Sequence, residues 1–252
     1  MLRRFSTSLA DKTRVAGSYA TILPRNTNQA LGLARFAEEF MQSAKPDKQV
    51  LLRTELFHTD SVVCGASALA LKTNAPTILR KEALDVYSTS SQGAFVFGSK
   101  HKVLPEKAIV ANSAAVREWD SNGTVFGYND KFGREHQAGE FGHNDFYPVV
   151  VAACQMKGLD GETALKAMLL SDEIRGRLAE VFSLKSYKID HVVHGAIASA
   201  VVYGNLMGAT HEQIEAAIGM VVAHYIPWRA IRAGKQLSDS KGASAAISAG
   251  KQ

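Results

Sequence analysis

The sequence predicts a mainly α-helical fold, and three observations carry that prediction. Apolar residues recur at helical spacing in several long segments, strand-like alternation is scarce, and helix-start signals stand just ahead of the apolar stretches. No internal repeat is visible, and no abrupt change in composition marks a second domain.

The elements follow in order. After a linker-like stretch ending near Pro24, Arg25 and Asn26, residues Leu33, Phe36, Ala37 and Phe40 fall at i, i+3, i+4 and i+7 and predict a first helix. Gln49 to Leu71 is largely apolar, interrupted by Asp60 and by Cys64-Gly65, and reads as a buried helix with a closely packed glycine. Ala94 to Phe97, followed by Gly98 and Ser99, is the best short strand or extended loop. Pro105 suits the first turn of a second helical block that runs through Ala108, Ala111, Ala115 and Trp119.

Asn122 to Gly142 is rich in Gly, Asn, Asp and charge and reads as a long surface loop, a length at which loops are often functional. Helices resume at Tyr147 to Met156 and at Glu162 to Phe182. The clearest one starts at Thr210, which has capping-box spacing to Gln213. Its apolar stripe is Ile214, Ala217, Ile218, Val221, Val222 and Tyr225, and Pro227 ends it.

Composition limits the function. At 46% hydrophobic and 21% charged residues, the chain can bury a real core, and no apolar run approaches a membrane span. The net charge of +5 suits an acidic small molecule. Lys and Arg are dispersed and no RNA-binding aromatic motif is present, so nucleic acid is not the expected partner. Two cysteines, Cys64 and Cys154, rule out a disulfide framework and a four-thiolate cluster, and both read as small buried hydrophobes. Early arginines, interleaved apolar residues, hydroxyls and a first acid only at Asp11 give residues 1–24 the composition of a mitochondrial transit peptide and linker. Residues 25–252 form the expected domain.

No phosphate-binding loop, dinucleotide fingerprint, nucleophile elbow or zinc-protease motif occurs. What remains is a set of polar residues at element ends. His143 stands directly before an apolar helix, where it can titrate near neutrality beside a helix start that attracts anions. From spacing alone, a capping segment with Asn144 or Asp145 as the cap explains it better. Asp120 and Thr124 flank the start of the same loop and can face His143 across it.

Lys241 lies among serines and Gly242 at the expected start of a small-residue helix, where it can approach a carboxylate or simply be a solvated charge. Arg229 and Arg232 are three apart, so a helical turn would set two guanidinium groups side by side for carboxylates, or merely form a polar face. His191 and His194 share that spacing, but no third ligand accompanies them, and no metal is assigned.

Together these residues resemble the MmgE/PrpD family of 2-methylcitrate dehydratases and cis-aconitate decarboxylases. Residues 98–120 are similar to the family segment leading to its active-site aspartate, here Asp120. Thr124 and His143 match the threonine and histidine that follow, and Asp60 to Gly65 matches a helix segment with a close-packed glycine. Arg229-x-x-Arg232 followed by Lys241 resembles the dehydratase branch in particular. The chain departs from the pattern where Asn144-Asp145 follows His143, and in the longer loop before it.

The resemblance covers about residues 28–250 and implies the large helical domain, incomplete at its C-terminus and without the family's α+β lid. It implies a hydro-lyase that removes water from a tricarboxylate. His143 would move the proton, Asp120 would orient or share it, and Lys241, Arg229, Arg232, Thr124 and His191 would bind substrate. It also implies a homodimer; no cofactor is expected, and the transit-peptide composition of the N-terminus predicts a place in the mitochondrial matrix. Two alternatives accompany this reading: a decarboxylase using the same pocket, and a catalytically silent subunit of a larger mitochondrial assembly.

Overall fold

A computed structural model describes residues 23–85, 92–126, 140–142, 144–181, 184–229 and 239–250. Among them the chain is mainly helical, as expected, with two short antiparallel hairpins. The first helix, α1 (Gln29–Ser43), is capped by Asn28, whose side chain accepts from the Leu31 amide at 3.0 Å. It buries Ala34, Phe36, Ala37 and Phe40, the stripe read from spacing.

Helix α2 (Lys48–Ala70) forms where the apolar run predicts it, but it is not a buried helix. Its inward stripe is Thr54, Ser61, Gly65 and Ala68, while Leu52, Leu56 and Val63 are more than half exposed. The physical reason is close approach. A Cβ on Gly65 would stand 2.6 Å from the Phe97 ring, so the packed face has room only for small side chains. Cys64 is likewise only half-buried, whereas Cys154 is buried, and burial pushes its thiol up to about 11.

Helix α3 (Asn74–Asp85) has no counterpart among the expected elements; Pro76 in its first turn is its one local signal. The extended stretch at residue 94 becomes β1 (Ala94–Phe95), paired with β2 (Lys102–Val103) through Ala94↔Val103 and Phe95↔Lys102. Pro105 opens α4 (Pro105–Arg117), and Trp119 falls beyond its end, exposed. The expected surface loop starts and finishes as a hairpin, β3 (Thr124–Phe126) against β4 (Glu140–Gly142), and Asn122 is buried.

Helices α5 (Tyr147–Lys157) and α6 (Gly161–Val181) match expectation. Helix α7 (Val192–Met207) is apolar on nearly every side and buried through most of its length. A helix surrounded by protein has no polar face, so no periodicity announces it. The capping box on α8 (His211–His224) is complete, with Gln213 N–H donating to Thr210 Oγ1 at 3.2 Å and the Thr210 amide to Gln213 Oε1 at 2.8 Å. Ile214, Ile218 and Val221 are buried, but Val222 and Tyr225 are exposed, because the stripe facing α1 and α7 is narrower than expected. The small-residue helix is α9 (Asp239–Ala249).

Two buried clusters organise these elements. One joins α1, α5, α6, α7 and α8; the other joins the β1–β2 hairpin, α4, α5, the start of α7 and α9. Helices α5 and α7 belong to both, and α2 packs outside them against α4. Among the described residues no single helix is long and apolar enough to cross a membrane.

Candidate active site

The site is built where α4 ends. Arg117, the last residue of α4, is buried, and its guanidinium pairs with the Asp120 carboxylate. Its Nε also lies 3.4 Å from Asp145 Oδ2, so one cation faces two carboxylates from distant parts of the chain. Asp120 takes a left-handed backbone, φ 53°, a conformation that aspartate tolerates better than most residues. Its amide donates to Arg117 O at 3.0 Å, and Asn122 Nδ2 donates to Val116 O at 3.2 Å, which closes the open carbonyl end of α4. This reversal delivers the chain to Thr124, which pairs with Gly142 across the hairpin.

After residue 143 the chain makes a 3-10 turn, Asn144–Phe146, in which each residue is tied to a different neighbour. Asn144 Nδ2 donates to Phe57 O and lies 3.4 Å from Asp60 Oδ2 on α2. Asp145 faces Arg117 on α4, and the Arg175 guanidinium on α6 lies 4.8 Å from the Phe146 ring centroid. Tyr147 then donates its hydroxyl to Asp172 Oδ2 at 2.5 Å. The expected capping role of Asn144 or Asp145 is therefore corrected. The N-cap of α5 is Phe146, without a side-chain bond, and both polar side chains bind other helices instead.

Behind this turn lies a group of buried and half-buried polar side chains that sequence reasoning missed. Asp172 is flanked by Tyr147 and by Arg175 at 3.5 Å. Burial pushes its carboxyl up to about 6, partly countered by Arg175 and by the Tyr147 hydroxyl. His194, buried on α7, is pushed down to about 4 by burial and then by the Arg175 charge. His58 is lowered by burial alone and has its ring 6.3 Å from Tyr147. The i, i+3 spacing of Asp172 and Arg175 in an anticipated helix was the available signal; Arg117, inside an alanine-rich segment, offered none.

The starts of α7 and α9 approach the same turn. Phe146, Val192 and Ala245 share one buried cluster, and a Cβ on Gly195 would stand 2.2 Å from Phe146 Cζ. At the start of α9, a Cβ on Gly242 would lie 3.8 Å from Glu118 Oε2, beside the Arg117–Asp120 pair. Lys241 thus lies in the first turn of α9, next to the end of α4. His191 is the N-cap residue of α7, with Nδ1 3.3 Å from Asp190 Oδ1. The Arg229 amide donates to Lys188 O at 2.7 Å, and Trp228 bridges to Ile189, which ties the arginine segment to the approach to His191.

Asp120 and Lys241 thus stand near the end of α4, His191 and Arg229 near the start of α7, and Thr124 on the hairpin that follows Asp120. His143 and Arg232 lie outside the described residues. The His191–His194 pair is split, one side chain beside Asp190 and the other beside the fixed positive charge of Arg175.

The sequence model of the MmgE/PrpD N-terminal domain matches residues 32–251. The chain belongs to the MmgE/PrpD family. A similar relative is the alkylcitrate dehydratase phiI of Fungal sp. (strain ATCC 74256), 29% identical over 151 residues. That match takes in 60% of this chain and 28% of the relative, so the chain spans well under half of that protein's length. The MmgE/PrpD match begins inside α1 and ends just beyond α9, so all the elements that build the site fall within it.

Proposed function

We propose that this MmgE/PrpD domain belongs to a hydro-lyase that eliminates water from a tricarboxylate of the 2-methylcitrate type, working as a homodimer in the mitochondrial matrix. The observation that carries this reading is that the starts of α5 and α7 share one buried cluster, while the first turns of α9 stand beside Glu118 at the end of α4, next to the Arg117–Asp120 pair. Helix starts present unpaired N–H groups and the positive end of the helix dipole, an environment that favours carboxylates. The similarity to an alkylcitrate dehydratase supports the same substrate class.

Elimination of water breaks a C–H and a C–O bond on adjacent carbons. A base takes the proton, an acid delivers one to the leaving hydroxyl, and cations stabilise the charge that builds toward a neighbouring carboxylate. His143 moves the proton in this scheme, and Asp120 orients it or shares the proton. Lys241, Arg229 and Arg232 bind the carboxylates, with Thr124 and His191 contacting substrate.

The test is to incubate the purified protein with 2-methylcitrate and follow the ultraviolet absorbance of the new conjugated double bond, beside a Lys241→Ala variant. A rise that the variant abolishes supports the dehydratase. Mass spectrometry of the products separates loss of water from loss of carbon dioxide, the decarboxylase outcome. Absence of any product, together with recovery in a stable large assembly, would replace the enzyme by a silent subunit.

A further inference from the structure

We infer that Arg117 is the positioning residue of this site, holding the Asp120 carboxylate in place by bridging it to Asp145. The inference rests on the elimination reading and names a residue that the sequence did not single out. Arg117 is buried at the end of α4, with Asp120 on one side of its guanidinium and the fully buried Asp145 on the other. A planar guanidinium can hold two carboxylates at fixed angles, which a lysine ammonium cannot do.

Two features support the bridge as the element that sets geometry. Asp120 turns the chain through a left-handed backbone conformation, and its amide is bound to the carbonyl of the same arginine. Asp145 belongs to a turn already tied to α2 through Asn144 and to α6 through Phe146. That anchored turn is the fixed point, and Arg117 transmits its position to Asp120 some twenty-five residues earlier in the sequence. Asp145 Oδ1 and Arg117 Nε both lack a hydrogen-bond partner among the described residues, so the two side chains meet as an ion pair, Nε to Oδ2, at 3.4 Å. The Thr124–Gly142 pair joins the same two stretches of chain a few residues further on.

The experiment compares Arg117→Met, Arg117→Lys, Asp120→Asn and the Arg117→Met/Asp120→Asn double variant, using the full chain. Misplacing a reacting group by about 1 Å costs about 10²-fold, so Arg117→Met should lower kcat by that order with KM nearly unchanged. Arg117→Lys keeps the charge but not the fork, and should recover only part of the loss. Because Arg117 acts through Asp120, the double variant should be no slower than Asp120→Asn alone. An unchanged kcat, or losses that multiply in the double variant, would overturn the inference.

Amide hydrogen exchange at residues 118–124 gives a readout that needs no turnover. Faster exchange there in both Arg117 variants, with α5 and α8 unchanged, supports positioning, and unchanged exchange overturns it. Should Arg117→Met fail to fold, the lysine variant alone decides. A wild-type protein without dehydratase activity would remove the functional reading, while the exchange measurement would still decide the role of Arg117.

Discussion

The Tyr147 hydroxyl donates to Asp172 Oδ2 at 2.5 Å, joining the first residue of α5 to the middle of α6 behind the candidate site. Tyr147 and Phe146 are among the largest fully buried side chains, so the donor of this bond is anchored in the core. Tyr147→Phe keeps the ring and removes the donor. A hydrogen bond to a charged group contributes about 1.5–3 kcal/mol, so urea unfolding at pH 7.5 should show a loss of that order. At pH 5, with Asp172 largely protonated, the loss should shrink.

Asp172 and His194 should give the folded state opposite pH dependences. The Asp172 carboxyl, raised to about 6, binds its proton in the folded chain before the unfolded one does, so its contribution to stability falls as pH rises from about 4 to 6. His194, lowered to about 4, leaves the unfolded chain binding more protons between 6.5 and 4, so its contribution falls as pH drops through that window. Measured from pH 4 to 6.5, the stability difference between Asp172→Asn and wild type should therefore rise with pH. For His194→Gln it should rise as pH falls. Two parallel curves would show that neither group is perturbed.

Gly195 and Gly219 should respond oppositely to alanine. A methyl at Gly195 meets the Phe146 ring at 2.2 Å, and overpacking of this kind costs about 1–3 kcal/mol. A methyl at Gly219, inside α8, meets nothing within 4 Å, and alanine should stabilise by about 0.5–1 kcal/mol. Thermal unfolding of the two variants reads both signs, and a neutral Gly195→Ala would mean that Phe146 can move.

Thr210→Ala removes half of the capping box on α8 and should cost about 1 kcal/mol, seen as a lower midpoint in urea with an unchanged slope. A changed slope would point to fraying that reaches the α1–α8 contact.

On the proposed chemistry, His143→Ala should lower kcat by about 10²–10⁴-fold, the usual contribution of one general acid or base. Lys241→Ala should act mainly on KM if the lysine binds a substrate carboxylate. Normal turnover by His143→Ala would take that residue out of the mechanism.

The sequence by itself determined the helical class, the presence of α1, α4, α5, α6 and α8 with the starts of α4, α5 and α8, and the residues that carry the family resemblance. Those features are local: apolar spacing, a proline in a first turn and a threonine three residues from a glutamine act on the chain within one or two turns. Helix α7 escaped because burial on all sides erases the periodicity, and α2 misled because its large apolar residues face outward while Gly65 and Ser61 pack inward. Only the tertiary structure could decide that Arg117 stands between Asp120 and Asp145, or that Asp172 lies beside Tyr147. Pairings between residues far apart in sequence depend on how helices cross, and a charge carries no mark of its partner until packing brings the two together and excludes water.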